Sequence, residues 1–320
     1  MIVLPTQEQI RKALSVLRRG ELIGLPTETV YGLAANGFDE DAVINIFEIK
    51  QRPRFNPLIL HIGNWEMLET ISNQVPEVLL SLAKAFWPGP LTILVPKTEA
   101  VHDIITAGSP LVAVRMPNHP LTLSLLQQLP FPLAAPSANT FGTISPTNAQ
   151  HVENQLGSAL DYILDGGECA IGVESTIAKV NEFGRVVILR PGGISAGEME
   201  KVIGYQPESV SAEHPTEAPG MLKSHYAPKI PLVIGNLNQL CEEHHNKAIG
   251  IISLQHQFSH PAIIHQEILT EDGDLHLAAR NLFAALRRLE TSGAEIILGE
   301  LVPDNGIGIA INDRLTRASA

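Results

Sequence analysis

Cysteine and long apolar runs are scarce in this 320-residue chain. Its two cysteines, Cys169 and Cys241, do not lie in a Cys-x-x-Cys pair, which excludes a disulfide framework and the common cysteine zinc sites. No apolar run approaches the roughly 18–20 residues of a membrane-spanning helix. No leader with a charged and an apolar region follows Met1. We therefore expect a cytoplasmic protein that does not associate with a membrane.

Basic residues are also few. The chain has 22 Lys and Arg residues against 34 Asp and Glu residues, a net charge of -12 with neutral histidines. Domains that bind nucleic acid over a broad surface are usually basic, because they neutralise phosphates. The composition therefore disfavours a large RNA- or DNA-binding surface. The length and the 44% hydrophobic content suggest two domains with substantial cores.

Several catalytic motifs are missing. The sequence has no P-loop pattern G-x-x-x-x-G-K-S/T, no H-E-x-x-H zinc motif and no G-x-S-x-G nucleophile elbow. The glycines Gly306 and Gly308 faintly resemble a dinucleotide fingerprint, but the third glycine is missing, and we interpret them as a helix N-terminus. Nucleophilic and zinc chemistry therefore have little support.

What the chain does have is a concentrated group of cations in residues 50–62. Lys50, Arg52 and Arg54 lie within five residues, between a predicted helix (39–51) and a predicted buried strand (58–62). A rigid, Pro-rich, positively charged turn suits a polyanionic ligand. The alternative is a helix C-terminus that favours cations through its dipole, followed by a solvated loop. The sequence does not decide whether Arg54 faces the ligand or solvent.

Further polar groups stand at the ends of predicted strands. Arg115 and Arg190 each end an apolar strand just before a rigid turn, and a buried strand avoids an arginine that has no partner. We therefore expect both to reach one cleft. Small hydroxyls and backbone N–H groups at strand ends can bind phosphate or carboxylate oxygens, although each such motif alone is usually just a turn.

The arrangement of predicted elements indicates two α/β domains. Residues 1–207 alternate irregularly between strands and helices, which predicts a twisted mixed sheet. Residues 208–230 are rich in Pro, Glu, Ser and Ala and are predicted to be a linker. Residues 231–320 alternate more regularly and predict a small Rossmann-like parallel sheet. The strands predicted for the first domain are residues 22–25, 58–62, 91–96, 111–115, 133–135, 176–180 and 186–190.

The motifs occur in an order that resembles a known family. The segments PTETVYGL, KQRPRFNPLILHI, WPGPLT, AVRMP, APSAN, SPT, ESTI and LRPGG resemble those of the YrdC-like threonylcarbamoyl-AMP synthases. Residues 218–228 resemble the linker of the longer, two-domain form. The resemblance implies a reaction of L-threonine, bicarbonate and ATP that gives threonylcarbamoyl-adenylate and pyrophosphate. It also implies transfer of the product to a complex that modifies adenosine in tRNA, with weak or absent direct tRNA binding.

The resemblance also implies a role for individual residues. Lys50, Arg52 and Arg115 would be catalytic, and His225 and Tyr226 would form a lid within the linker. Mg²⁺ would accompany the nucleotide without a protein side chain as ligand. The nucleotide would contact Lys50, Arg52, Asn56, Leu111, Ser137, Asn139, Ser145, Arg190 and Tyr226. Threonine would contact Thr29, His61, Arg115, Ala135 and Ser175.

Three alternatives remain open at this point. The chain could be an RNA-binding module without turnover, which the net charge disfavours. It could be a related carbamoyl-transfer maturation enzyme, which would need acylphosphatase and zinc-finger segments. It could also bind ATP without turnover, which the intact set of cations disfavours. The C-terminal domain is interpreted as a packing or regulatory module for the lid.

Overall fold

The computed structural model describes residues 1–210 and 218–320, so residues 211–217 of the predicted linker lie outside the described residues. The strands are β1 Ile2–Val3, β2 Ile23–Leu25, β3 Gly32–Asn36, β4 Ile59–His61, β5 Leu91–Pro96, β6 Leu111–Arg115, β7 Leu133–Ala134, β8 Tyr162–Leu164, β9 Thr176–Val180, β10 Val186–Arg190, β11 Glu208–Ser209, β12 Leu232–Ile234, β13 Ile249–Ser253, β14 Ile263–Ile268 and β15 Ile296–Gly299. The helices are α1 Gln7–Arg18, α2 Glu40–Lys50, α3 Trp65–Ile71, α4 Glu77–Phe86, α5 Asp103–Thr106, α6 Pro120–Leu126, α7 Ala149–Leu156, α8 Ala196–Ile203, α9 Leu237–Glu243, α10 Leu275–Glu290 and α11 Gly308–Ala318, with a short 3₁₀ turn at Gly157–Ala159.

Strands β1 to β11 form one large mixed sheet in the order β1-β8-β2-β3-β7-β4-β6-β5-β9-β10-β11. Its register explains where the site lies. Strands β4 and β6 are parallel, with His61 opposite Arg115, so both side chains stand at the same end of the sheet. Strand β10 returns antiparallel to β9 and places Arg190 opposite Ile177, two residues after Ser175. The sheet thus brings together strand ends that are far apart in sequence.

The C-terminal sheet is parallel throughout, as the sequence predicted, and its strand order is β12-β15-β13-β14. Its helices α10 and α11 pack against the large-sheet part of the molecule. Val30, Ile144 and Val173 belong to the same buried apolar cluster as Tyr226 and Phe283. The two parts therefore share a core and dock closely. Among the described residues, no helix has the length and apolarity needed to cross a membrane.

The seven strands predicted for the first domain are present, with ends shifted by one residue at most. One part of the predicted linker differs, because Glu208–Ser209 forms β11 and pairs in parallel with β10 at the sheet edge. The segment has no apolar alternation that could have predicted this pairing. The large sheet therefore extends slightly beyond residue 207.

Candidate active site

A small buried cavity of about 50 Å³ lies where β4, β6, β9 and β10 meet the segment at residues 219–226. It contains three arginines, and each is at most 7% exposed. Most of the residues predicted from the sequence converge there. The predicted residues that line it are Thr29, Arg52, His61, Arg115, Ala135, Ser137, Ser175, Arg190, His225 and Tyr226.

Arg115 is held on one side of the cavity by three groups. Its Nη1 donates to Thr29 Oγ1 at 2.9 Å, and its Nε donates to the Gly89 carbonyl at 3.2 Å. Its Nη2 lies 2.6 Å from Glu28 Oε1 in a buried ion pair whose angles fall outside hydrogen-bond geometry. Glu28 was not among the predicted site residues. The clue was a carboxylate in the turn before Gly32, but nothing in the sequence linked it to Arg115.

His61 stands beside this arginine as a neutral imidazole. Burial, reinforced by the charge of Arg115, lowers the pKa of His61 to about 3. Its buried Nδ1 has no hydrogen-bond partner among the described residues. A neutral imidazole with an open nitrogen can accept from or donate to a small polar ligand.

The buried neutral state of His61 predicts a contribution to acid sensitivity. The pKa is lower in the folded state than in the unfolded state, so stability is lost as pH falls from about 6.5 toward 3. His61→Asn should flatten the plot of unfolding free energy against pH by up to ~1.4 kcal/mol per pH unit. Urea unfolding at pH 4 to 7 measures this slope. The substitution His245→Asn on an exposed helix end is the control, and an equal slope in both variants would contradict the assignment.

Of the three cations in residues 50–54, Arg52 lines the cavity. Arg52 donates through Nη2 to Asn56 Oδ1 and to the Pro57 carbonyl, each at 2.8 Å, which fixes the Pro-rich turn. Burial lowers its pKa to about 9. Helix α2 ends just before this turn at Gln51, which has a left-handed backbone (φ 52°). The neighbouring Arg54 is exposed, so it faces solvent.

Lys50 does not line the cavity. Its Nζ donates to the carbonyls of Ser137 and Asn139, both at 2.5 Å, and its side chain is buried. Burial, with a smaller effect of the Arg52 charge, lowers the pKa of Lys50 well below its usual value. In this conformation Lys50 holds the backbone of the 137–139 turn, so Ser137 is fixed at the cavity wall.

Arg190 links the far wall to the predicted lid. Its Nη2 donates to the Ser175 carbonyl at 2.8 Å and to Ser175 Oγ at 3.1 Å. Its Nη1 donates to the Pro219 carbonyl at 3.1 Å. Ser175 Oγ also shares a 2.7 Å hydrogen bond with Thr92 Oγ1. The hydroxyl of Ser175 is therefore fixed between two strands.

Tyr226 and His225, the two residues of the predicted lid, form part of the cavity wall. Tyr226 has a left-handed backbone (φ 66°) and is buried, with its ring stacked 5.5 Å from Phe283 of α10. The His225 ring meets Phe141 edge to face at 5.6 Å. The cavity of about 50 Å³ is smaller than the roughly 300–1,000 Å³ that ligand sites commonly occupy.

A buried carboxylate stands behind the lid. Ser145 Oγ donates to Glu174 Oε1 at 2.6 Å, and Arg314 Nε of α11 donates to Glu174 Oε2 at 2.8 Å. Burial by itself would raise the pKa of Glu174, but the charges of Arg314 and Arg190 outweigh it and the pKa is lowered. Glu174 and Arg314 were both missed from the sequence, because their contact spans 140 positions.

Five predicted residues do not line the cavity. Lys50, Asn56 and Ser145 contact residues that line it, as described above. Asn139 donates through Nδ2 to the Thr143 carbonyl at 2.9 Å, and its buried Oδ1 has no partner among the described residues. Leu111 begins β6, and Arg115 ends it about 13 Å away at ~3.3 Å per residue. The structure does not bring Leu111 to the cavity.

The described residues show no cluster of side chains typical of a protein metal site. No group of three or more His, Cys, Asp or Glu side chains within residues 1–210 and 218–320 could hold a metal ion. Glu174, which lines the cavity, pairs with Arg314, and Glu28 pairs with Arg115.

Comparison with known proteins places the whole chain. A family model described as "Telomere recombination" (Sua5, YciO and YrdC) matches residues 15–192. A second, described as "Threonylcarbamoyl-AMP synthase, C-terminal domain", matches residues 194–320. Threonylcarbamoyl-AMP synthase of Pyrococcus abyssi is 43% identical, over 97% of this chain and 94% of that protein. The enzyme of the same name from Bacillus subtilis is 39% identical, over 97% and 93%.

Solved structures agree with this result. A crystal structure of Pyrococcus abyssi Sua5 complexed with L-threonine superimposes with a TM-score of 0.93 and 40% sequence identity. The match covers 100% of this chain and 97% of that one. The predicted resemblance and the two-part α/β architecture are thus confirmed. The chain belongs to the two-domain Sua5 branch of the YrdC-like threonylcarbamoyl-AMP synthase family.

Proposed function

We propose that this protein is an L-threonylcarbamoyladenylate synthase, which makes threonylcarbamoyl-AMP and pyrophosphate from L-threonine, bicarbonate and ATP. The observation that carries the proposal is the convergence of Arg52, Arg115 and Arg190 on one closable cavity, in a chain of this family. Three buried arginines in an acidic protein suit substrates that bring several negative charges.

The proposed reaction needs no nucleophilic side chain from the protein. The amine of threonine attacks bicarbonate, a C–N bond forms, and water leaves to give a carbamate. A carbamate oxygen then attacks the α-phosphorus of ATP, an O–P bond forms, and pyrophosphate leaves with the electron pair of the broken bond. Both reactants are anionic, so fixed cations lower the barrier by reducing their repulsion. Orientation within a closed cavity supplies most of the remaining effect.

The Arg115 side of the cavity would bind threonine. The Arg115 guanidinium would pair with the threonine carboxylate, and Glu28 behind it keeps the guanidinium in place. Thr29 and neutral His61 would contact the polar groups of the amino acid. Ser175, near the junction of the two sides, would lie beside the carbamate. Crystallised Pyrococcus abyssi Sua5 holds L-threonine, which supports this substrate for the present chain.

The Arg52 side would bind the nucleotide. Arg52 would bind phosphate oxygens, Arg190 would approach the nucleotide from the opposite wall, and Ser137 would contribute at the turn that Lys50 fixes. Lys50 itself would contact phosphate only if it left the two carbonyls that it now binds. Asn56, Asn139, Ser145 and Leu111 remain proposals from the resemblance. Tyr226 and His225 would cover the nucleotide and exclude water from the mixed anhydride that forms.

Mg²⁺ would arrive with the nucleotide. Its function there would be to neutralise charge on the phosphate oxygens. Because Glu28 and Glu174 are already paired with arginines, the protein would hold the ion through the phosphates that Arg52 and Arg190 position.

The product would be consumed by a threonylcarbamoyl transferase complex that modifies tRNA adenosine, in the cytoplasm. An RNA-binding module without turnover fits less well. The net charge of -12 disfavours a surface that neutralises many phosphates. Direct tRNA binding is accordingly proposed to be weak or absent.

Pyrophosphate release from the purified protein tests the proposed function. The assay contains ATP and Mg²⁺, and threonine and bicarbonate are omitted in turn. Release that requires both establishes the synthase. Release with neither substrate would indicate a simple nucleotide hydrolase, and no release at all would favour the binding-module alternative.

Arg52→Ala should weaken the use of ATP. The loss of a charged hydrogen-bonding group should cost about 1.5–3 kcal/mol in kcat/KM for ATP. Arg52→Lys keeps the charge but not the planar fork that holds Asn56 and Pro57, so we expect an intermediate loss. Initial rates over a range of ATP concentrations measure the effect. Unchanged ATP kinetics in Arg52→Ala would refute the role.

A further inference from the structure

Arg314 of the C-terminal helix α11 is fully buried, with 0% of its surface exposed, and it reaches the active site from the second domain. Its Nε donates to Glu174 Oε2 at 2.8 Å, and its Nη2 donates to the Pro191 carbonyl at 3.0 Å. Its Nη1 pairs with the adjacent Asp313. Every nitrogen of the guanidinium thus has a partner, which fixes its orientation.

The contact with Glu174 extends to the catalytic cavity. Glu174 lines the cavity, and its Oε1 accepts a hydrogen bond from Ser145 Oγ at 2.6 Å. A carboxylate that is buried and nearly closed off from water would take up alternative orientations or a proton without a fixed cation beside it. Arg314 supplies that cation. It therefore fixes two groups on the nucleotide side of the cavity, Glu174 directly and Ser145 through it.

The same guanidinium contacts the lid. Its central carbon lies 5.1 Å from the centroid of the Tyr226 ring, within the range of a cation–π contact. One turn later on α11, Arg317 donates through Nη1 to the carbonyls of Met221 and Leu222, at 2.9 and 2.5 Å. The backbone N–H of His225 donates to the Arg317 carbonyl at 3.1 Å. Helix α11 is therefore the surface on which the closed lid rests.

Stability alone is a weak reason for such an arrangement. A buried ion pair between two domains contributes little more than well-packed apolar side chains of the same volume would. The pair of Arg314 and Glu174 also fixes the orientation of the Glu174 carboxylate and of the Tyr226 ring at the cavity. An apolar pair would not do this.

We propose that Arg314 is a positioning residue of the synthase, through which the C-terminal domain completes the active site. Arg314 fixes Glu174 and Ser145 on the nucleotide side and holds Tyr226 in the closed position. The inference rests on the proposed function. It assigns to the C-terminal domain a direct effect on synthesis, in addition to packing.

The test uses the full chain with Arg314→Met, Arg314→Lys and a matched control, Arg280→Met. Arg280 of α10 also bridges the two domains, to Glu168 at 3.2 Å, but both side chains are about half or more exposed and far less constrained. Pyrophosphate release gives kcat and separate KM values for threonine and ATP. A second assay measures the fraction of cleaved ATP that ends as free AMP, and thermal unfolding reports the folded state.

For Arg314→Met we expect kcat to fall on the order of tenfold to a hundredfold, because the variant loses one or two charged contacts. The KM for threonine should stay at the wild-type value, and the AMP fraction should rise, because a loosened lid admits water. Arg314→Lys keeps the charge beside Glu174 but loses the hydrogen bond to Pro191 and the planar guanidinium face. Its kcat and AMP fraction should therefore lie between those of the wild type and those of Arg314→Met. If Arg314→Met does not fold, the kcat and AMP fraction of Arg314→Lys are compared with those of Arg280→Met instead.

Two results would overturn the inference. One is a kcat and an AMP fraction in both Arg314 variants that equal those of Arg280→Met. The other is a loss of activity that only follows the loss of folded protein. A wild-type protein that makes no threonylcarbamoyl-AMP would instead contradict the proposed function, and the inference with it. An active wild type with unaffected Arg314 variants would contradict the inference alone.

Discussion

Replacing Arg115 with alanine is expected to lower the free energy of unfolding by about 3–5 kcal/mol, the usual cost of breaking a buried ion pair. It should also abolish threonine-dependent synthesis. The arginine and Glu28 are 4% and 6% exposed, and the substitution leaves the Glu28 carboxylate buried without its cation. It also frees Thr29 Oγ1 from its guanidinium donor. Urea unfolding measures the first effect, and threonine-dependent pyrophosphate release measures the second.

A paired substitution separates stability from catalysis. Glu28→Gln combined with Arg115→Met removes both charges, so most of the lost stability should return. Synthesis should not return, because no cation then faces the threonine carboxylate. Arg19→Ala is the matched surface control, since it breaks an exposed pair with Glu21 and should change stability by less than about 1 kcal/mol. Threonine-dependent synthesis by the double variant would contradict the role of Arg115.

The residues at strand ends were predictable from the sequence because local rules identify them. Arg115 and Arg190 end apolar strands, and a charged side chain there needs a partner in a cleft. Both line the cavity. Strand β3 was missed, since Gly32–Asn36 consists mostly of small residues without the β-branched pattern that marks a strand. The buried position of this strand comes from its neighbours β2 and β7, which the local sequence does not report.

Partners and directions of side chains were not predictable. Arg54 and Arg52 belong to the same turn, yet one is exposed and the other is buried against Asn56. Lys50 was expected to face phosphate, but its Nζ donates to two backbone carbonyls. Glu28 and Arg314 each depend on a contact that spans a large part of the chain. Such contacts follow from sheet order and domain docking, which no local pattern encodes.

Ending the chain after residue 210 should leave a folded large-sheet domain. Its rate of synthesis should be lower by roughly a hundredfold or more, because the reacting groups are no longer held in place. This end keeps β11 paired with β10 but removes Tyr226, which closes the cavity, and Arg314, which holds Glu174. The shortened protein should also be less soluble. Val30, Ile144 and Val173 would lose the apolar cover that α10 and Tyr226 provide. Circular dichroism reports folding, and pyrophosphate release reports synthesis.

A second chain, ending after residue 230, distinguishes the lid from the domain on which it rests. It keeps His225 and Tyr226 but lacks Phe283, Arg314 and the Arg317 carbonyl that accepts the His225 N–H. If the lid closes only against α11, this chain should be as inactive as the shorter one. Full activity of the chain ending at 210 would mean that Tyr226 is not needed. Activity restored only at 230 would show that the lid works without the C-terminal domain, and the positioning role of Arg314 would then be wrong.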